Sequence, residues 1–546
     1  MFESGGELLV RGLESAGVPV VFGLPGVHNL AAWKALAGSP IRLVGVRHEQ
    51  TAVYAADGYA RTTGRAGVAI TTTGPGAANT LGATGEAWAS GSPVLVIATD
   101  VPSTLRQPGV YRGSLHEATD QAAMFAPVTK EQLKVRDAAE LEGAVQWAID
   151  SALAPPSRPV YLEVPTDMLS AQAEAWPRRP GPAAAPAPAQ DELERAAQLL
   201  GRAERPLVWA GGGALRSGAG EAVGELAERL AAPLIVTYMA RGLLGAEHPC
   251  AVGLPPHVPP VGDLWDEADA VLAIGTDFDG MMTQNWTMPA PPHLVTVNVD
   301  PVDAAKSYPP EISIVGDARV VSAALAERIP PGGGVDELAR RLADLRAQAR
   351  AELEREHPDE IRFLDAFAAA VPSDAVVVAD MCIPGYWLAA MHPLPGPRKL
   401  AYPMGWGTLG YGFPLSIGAA LGTGSPVVCV CGDGGFLYAC GELATVAQER
   451  VPLTVVIVDD GGYGMLRFDQ RHSGDPTFGV DLLSPDFAAL AASFGVEAET
   501  VEGLGDDFSA ALTRHVTSDS PTVLVAHAEL EPPPTTSPRW YRRRRG

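Results

Sequence analysis

Two acidic glycine turns carry the strongest chemical signal in the chain. The β-branched run Val427 to Val430 continues through Cys431 into Gly432-Asp433-Gly434-Gly435-Phe436, and a second run, Leu453 to Val458, ends in Asp459-Asp460-Gly461-Gly462-Tyr463-Gly464. A glycine turn at the carboxyl end of a parallel strand lets backbone N–H groups and a helix N-terminus approach a phosphate, and an aspartate there can hold a divalent cation. If the two strands are neighbours, both turns fall at one sheet edge. Asp433, Asp460 and a carbonyl near Gly462 are then candidate oxygen ligands for one Mg²⁺. A third stretch, Gly405-Trp406-Gly407-Thr408-Leu409-Gly410, matches Gly-x-Gly-x-x-Gly. As a dinucleotide fingerprint it is poor, because Tyr402-Pro403-Met404 is not a convincing strand and no suitable acid follows about 20 positions later.

Such turns need parallel sheets behind them. Short β-branched runs, each followed by glycine turns and Ala/Leu-rich helical periodicity, recur at Val18 to Phe22, Gly67 to Thr72, Val94 to Thr99, Leu207 to Ala210, Leu234 to Thr237, Ala270 to Ile274, Leu294 to Val299 and Ala375 to Val378. This is the pattern of βαβ units. The Pro/Ala stretch Pro177 to Gln190 reads as a stiff linker, and Pro330-Pro331-Gly332-Gly333-Gly334 precedes a charged helix from about Val335 to Glu356. The expected fold is α/β, with three doubly wound parallel-sheet domains at 1–172, 191–330 and 358–532. They are joined by a linker at 173–190 and by a linker and helix at 331–357, with a tail at 533–546.

With 546 residues, 47% apolar and 19% charged, the chain is globular, and several domains are expected at roughly 150 residues each. Lys plus Arg number 40 against 64 Asp plus Glu, a net charge of -24, which argues against nucleic-acid and anionic-membrane partners. The run Arg542 to Arg545 reads as a solvated tail. Five cysteines exclude a disulfide scaffold and favour a reducing compartment, the cytoplasm; Cys429 and Cys431 read as core thiols. The N-terminus lacks a signal-peptide pattern, and the apolar runs are too short to span a bilayer.

In the first domain, Phe22-Gly23-Leu24-Pro25-Gly26, Arg47-His48-Glu49, Ala56-Asp57-Gly58-Tyr59-Ala60-Arg61 and Thr73-Gly74-Pro75-Gly76-Ala77-Ala78-Asn79 follow one another in order. With the two acidic turns, these motifs resemble the thiamine-diphosphate-dependent enzymes of the acetolactate synthase and 2-oxo acid decarboxylase superfamily. That family usually has Asn-Asn where this chain has Asp459-Asp460. The resemblance implies pyrimidine-binding, central and diphosphate-binding domains in that order, with thiamine diphosphate and Mg²⁺ as cofactors. It implies that Glu49 shares a proton with N1′ of the aminopyrimidine, and that Gly23, Pro25, Gly26, Thr73, Gly76 and Asn79 line that half of the cofactor site. On the other half it places Cys382, Ile383, Gly407, Leu409, Gly432, Asp433, Gly434, Gly435, Asp460, Gly462, Tyr463, Gly464 and Met465. Leu409 would hold the cofactor bent, and Asp433, Asp460 and Gly462 would bind the metal.

The same resemblance implies conversion of a small 2-oxo acid, by decarboxylation to an enamine that is either protonated to an aldehyde or ligated to a second carbonyl. His116 and Glu117 stand where acetolactate synthases usually carry Phe-Gln, and His28 follows the first strand; these three join Glu49 as candidate catalytic residues. The stretches Gly-Val-His and Leu-His-Glu resemble decarboxylases of guanidino 2-oxo acids. The middle domain resembles one that binds FAD in acetolactate synthases, but Gly253-Leu254-Pro255-Pro256-His257 and Asp277 depart from that pattern and argue against FAD. The active site is expected between subunits of a homodimer or homotetramer. Two other readings stay open: a catalytically silent thiamine-diphosphate-binding paralogue, and a nicotinamide-dependent dehydrogenase built on Gly405 to Gly410.

Overall fold

The computed structural model describes residues 2–107, 109–178 and 180–536, so the Arg542 to Arg545 run lies outside the described residues. Three parallel sheets follow one another along the chain. The first contains β1 (Val20–Gly23), β2 (Arg42–Gly45), β3 (Gly67–Thr71), β4 (Val94–Asp100), β5 (Glu131–Lys134) and β6 (Val160–Pro165), in spatial order β2-β1-β3-β4-β6-β5. The second contains β7 (Pro206–Ala210), β8 (Leu234–Val236), β9 (Ala270–Ile274), β10 (His293–Asn298) and β11 (Ile312–Val315), in order β8-β7-β9-β10-β11. The third contains β12 (Val376–Ala379), β13 (Leu400–Ala401), β14 (Val427–Gly432), β15 (Thr454–Asp459), β16 (Glu497–Glu502) and β17 (Thr522–His527), in order β13-β12-β14-β15-β17-β16. The first and third sheets thus share one topology, and in both the order reverses between the first and third strands, where an open α/β sheet has its ligand crevice.

The central strands read as continuous apolar runs because helices cover both faces; β3 and β4 are buried throughout. Cys429 and Cys431, on β14, are fully buried free thiols. Described residues of the Pro/Ala linker form no regular element before a helix begins at Gln190. The charged helix α2 runs over Val335–Glu356, as its periodicity indicates, and leads into α3 (Pro358–Ala370).

One helix crossing fixes the geometry of the chemistry. Helix α1 (Glu49–Thr63) starts at His48, whose side chain accepts from the Gln50 amide, and stops at Gly64, which is left-handed at φ 74°. Its Ala-rich surface packs on the corresponding helix of the third domain, which follows α4 (Ile383–Met391) and is here α5 (Gly412–Gly422). A Cβ on Gly58 would lie 2.1 Å from the Leu415 carbonyl oxygen, and one on Gly418 would lie 1.7 Å from that of Ala55. Only glycine allows this approach. A single core containing Tyr54, Ala55, Tyr411 and Phe413 therefore runs through both domains, while the middle domain buries Trp209, Trp265 and Phe278 in a core of its own.

Candidate active site

Strands β14 and β15 are parallel neighbours, with Gly432 opposite Val458. Their turns therefore meet, and Asp433 and Asp460 line one cavity of about 130 Å³. Cys382, Ile383, Leu409, Gly432, Gly434, Gly435, Gly462, Tyr463, Gly464 and Met465 line it too. Gly407 does not; a Cβ on it would meet Met381, which does. The structure adds Tyr386 and Leu466, which motif reasoning did not name. Helix α6 (Gly464–Ser473) begins beside the carboxylates, and a Cβ on Gly464 would sit 2.0 Å from Asp460 Oδ2.

The carboxylates are poised for a cation. Burial, with Asp459 close by, pushes Asp433 up to about 6; burial and Asp433 push Asp460 up to about 7. Asp460 Oδ1 is buried without a hydrogen-bond partner, and the nearest guanidinium, that of Arg467, stands 3.8 Å away. A hard dication with oxygen ligands suits this donor set. Among the described residues no group of three or more His, Cys, Asp or Glu side chains could hold a metal. A cation here would complete its shell from the Gly462 carbonyl and from phosphate oxygens.

The first-domain residues assemble at the carboxyl ends of β1 to β3. Glu49 is 8% exposed at the first turn of α1, and its Oε2 accepts from Asn79 Nδ2 at 3.0 Å. Gly76 lies against the Glu49 carboxylate, and Gly26 against Thr72. A Cβ on Gly23 would press on the Ile70 carbonyl, and Thr73 bonds Thr99 across the sheet. Pro25 is exposed in the loop after β1. His28 and His116 meet edge to face at 5.3 Å between ring centroids, each with a buried, unpartnered Nδ1. Burial, then His116, holds the His28 pKa below its ordinary value. His116 sits at φ 65°, and its carbonyl packs on Gly74, where a Cβ would come within 2.3 Å of it. Glu117 staples its own loop through Oε2, which accepts from the Arg112 and Ser114 amides, while its Oε1 is buried without a partner.

Gln121 anchors this loop cluster. Its side-chain oxygen accepts from the Gly74 amide at 2.6 Å, and its nitrogen donates to the Tyr161 hydroxyl, which stands 3.5 Å from Glu163. Burial, then Asp100, pushes Glu163 up to about 7. Its folded pKa lies above its unfolded one, so ionised Glu163 destabilises the fold above about pH 7, and that cost fades as pH falls toward 4.5. Glu163→Gln is therefore expected to raise the unfolding free energy at pH 8 by about 3 kcal/mol at most, and to change it little at pH 5. Denaturation at the two pH values measures this.

Two acids that motif reasoning missed tie the halves of one chain together. Glu86, fully buried in the first domain, accepts from the Gly405 amide (3.0 Å), the Trp406 amide (2.8 Å) and the Thr408 hydroxyl (2.9 Å), fixing the turn that presents Leu409. Arg61, paired with Asp57 at 3.0 Å, lies 3.4 Å from it. Glu442 of the third domain accepts from the Arg47 and His48 amides at 3.0 Å, immediately before Glu49. Neither acid stands in a glycine motif; only three-dimensional contact exposes its role. Glu86→Ala leaves Arg61 undercompensated and is expected to cost about 3–5 kcal/mol of stability, measured by denaturant unfolding.

In the middle domain a cavity of about 210 Å³ lies at the carboxyl ends of β7 and β9, lined by Gly211 to Gly213, Arg216 and Asp277. Asp277 pairs with Lys306 at 2.6 Å. His257 is buried, bonds the Met281 carbonyl and is held down to about 4 by burial.

Three parallel α/β domains, with a glycine-and-aspartate cradle on the last and a buried glutamate at a helix start on the first, define a cofactor-dependent enzyme. Family models described as the thiamine pyrophosphate enzyme N-terminal TPP-binding, central and C-terminal TPP-binding domains match residues 3–124, 193–325 and 382–526. A Pseudomonas aeruginosa protein named as a probable 2-ketoarginine decarboxylase is 39% identical over 500 residues, covering 90% of this chain and 88% of that protein. Acetolactate synthase large subunits from Parasynechococcus marenigrum and Corynebacterium glutamicum are 32% and 30% identical, covering 96% and 95% of this chain and 87% and 86% of theirs. The chain belongs to the thiamine pyrophosphate enzyme family, and its activity is of the decarboxylase or acetolactate-synthase kind.

Proposed function

We propose that the protein is a thiamine-diphosphate- and Mg²⁺-dependent decarboxylase that releases an aldehyde from a 2-oxo acid with a cationic tail. The observation that carries this reading is the His28–His116 pair beside the Glu49 loops, whose two Nδ1 atoms are buried without partners. When bound, the cofactor supplies a nucleophilic carbon and an electron sink for CO₂ loss. Asp433, Asp460 and the Gly462 carbonyl would hold the cation, the glycine turns would receive the diphosphate, and Leu409 would support the bend. Glu49 would keep a proton on the aminopyrimidine. An imidazolium of the His28–His116 pair would give its proton to the substrate carbon after CO₂ leaves and take one back from solvent, which yields an aldehyde; carboligation instead needs that carbon kept from protons. Glu117, committed to its own loop, would shape the His116 turn. FAD has no part in this chemistry, and Asp277 would set a carboxylate near any pyrophosphate in the middle domain.

The cationic tail is supported by the name of the 39%-identical relative and by charge at the cavity. An adjoining cavity that shares Asp460 is lined by Glu356, Asp359, Glu360, Glu529 and Glu531; Arg471, the one Arg or Lys among the described residues that line it, pairs with Glu529. A carboligase reading is favoured by the relatives named acetolactate synthase. Purified protein with thiamine diphosphate and Mg²⁺ decides: CO₂ and an aldehyde should come fastest from 2-ketoarginine, more slowly from 2-oxoisocaproate and pyruvate. Acetolactate from pyruvate as the main product would support the carboligase, and no CO₂ from any of them would refute both.

The working unit is proposed to be a homodimer or homotetramer. Among the described residues no first-domain residue lines the Asp433 cavity, and the Glu49 carboxylate bonds within its own domain. Large exposed apolar side chains surround both halves: Val27, Tyr111 and Leu115 on one, and Leu466, Phe478 (82% exposed) and Leu483 (98%) on the other. Five free cysteines agree with a reducing compartment such as the cytoplasm, and among the described residues no helix is long and apolar enough to cross a membrane.

A further inference from the structure

Away from the cofactor halves, a cavity of about 390 Å³ lies where β8 of the middle domain, helix α2 and helices α3 and α4 meet. Leu244, Leu353, Leu364 and Met391 form an apolar wall. Set into this wall is Arg241, 9% exposed. Its guanidinium donates to two main-chain carbonyls, of Gly253 and His392, and its Nε is buried without a partner. A second guanidinium in the lining, Arg346, donates to the Ala251 carbonyl at 2.8 Å. Among the described residues neither pairs with a carboxylate, whereas Arg350 alongside is neutralised by Glu354 and Asp365.

A buried cation without a counter-ion is costly, and folds normally supply the partner or remove the charge. Burial lowers the Arg241 pKa only to about 10, so the charge persists at neutral pH. The neighbouring His392, held down to about 4 by burial and then Arg241, adds no charge. We propose that this cavity is a binding site for a small organic carboxylate with a short apolar body, its anionic end at Arg241 and Arg346 and its body against the leucine wall. A singly charged group fits better than a phosphate, because Glu247 and Asp365 also border the cavity.

The test uses the enzyme loaded with thiamine diphosphate and Mg²⁺, titrated calorimetrically with hexanoate and with hexan-1-ol. Saturable hexanoate binding is expected, with hexan-1-ol at least tenfold weaker. Arg241→Met should weaken hexanoate at least tenfold. It should also raise the melting temperature of the ligand-free protein, because the uncompensated charge is gone. Ala368→Phe, at an exposed position of α3 that borders the cavity, should block hexanoate while CO₂ release stays unchanged, which separates this site from the substrate site. If Arg241→Met does not fold, Arg346→Gln and Ala368→Phe carry the test. Absence of hexanoate binding, equal binding of the alcohol, or undiminished binding in the folded variants overturns the proposal.

Discussion

Replacing Glu49 with Ala is expected to lower cofactor-dependent CO₂ release by about 10²- to 10⁴-fold, while thiamine diphosphate and Mg²⁺ still bind. The expectation rests on the division of labour in the fold. The proposed cation and phosphate ligands all belong to the third domain, whereas Glu49 sits at the start of α1, nearly buried and oriented by Asn79. In the proposed mechanism its carboxyl faces the aminopyrimidine and has no part in the diphosphate cradle. Glu49→Gln should behave alike, because an amide keeps the shape and cannot exchange the proton. Calorimetric titration of the cofactor and continuous CO₂ detection separate the two effects. Wild-type turnover in either variant would remove Glu49 from the chemistry.

Asp433→Ala should fail earlier, at binding, with cofactor affinity in the presence of Mg²⁺ reduced about 100-fold or more. Asp460→Asn should do the opposite. The Asp433 and Asp460 carboxylates repel each other, and an amide oxygen can still ligate while the repulsion goes, so Mg²⁺ binding should persist or tighten. The pH dependence follows with its sign. Both folded pKa values are raised, to about 6 and about 7, so the ionised pair destabilises the cofactor-free protein at pH 8 and that cost fades on acidification. A cation requires the ionised form; apparent cofactor affinity should therefore fall as pH drops from 8 to 6, and less steeply in Asp460→Asn. Loss of Mg²⁺ binding in Asp460→Asn would contradict its place as a ligand.

Much of this is legible in the amino-acid sequence. The strands that carry the acidic turns are apolar on both faces, so Val427 to Cys431 and Leu453 to Val458 could be placed to within a residue or so, and their adjacency brings Asp433 and Asp460 together as their spacing suggests. The strands that escaped notice are mostly edges. Arg42–Gly45, Glu131–Lys134 and Glu497–Glu502 carry charges and lie at the margins of their sheets, where one side needs no partner and the apolar signal fades. The site was legible where backbone conformation demands glycine beside an acid. Glu86 and Glu442 were not, because each acts across the seam between domains distant in sequence, and nothing local distinguishes them from surface carboxylates until α1 and α5 are packed together.

In the proposed dimer, the Glu49 half of one chain and the Asp433 half of a second copy form one catalytic site. Co-refolding or co-expressing Glu49→Ala chains with Asp433→Ala chains tests it directly. Half of randomly formed dimers are mixed, and each mixed dimer holds one site with both residues intact, so the mixture should recover about a quarter of wild-type CO₂ release although each variant alone is inactive. A mixture of co-assembled chains as inactive as its two components would show that a single chain builds its own site, and would contradict the account.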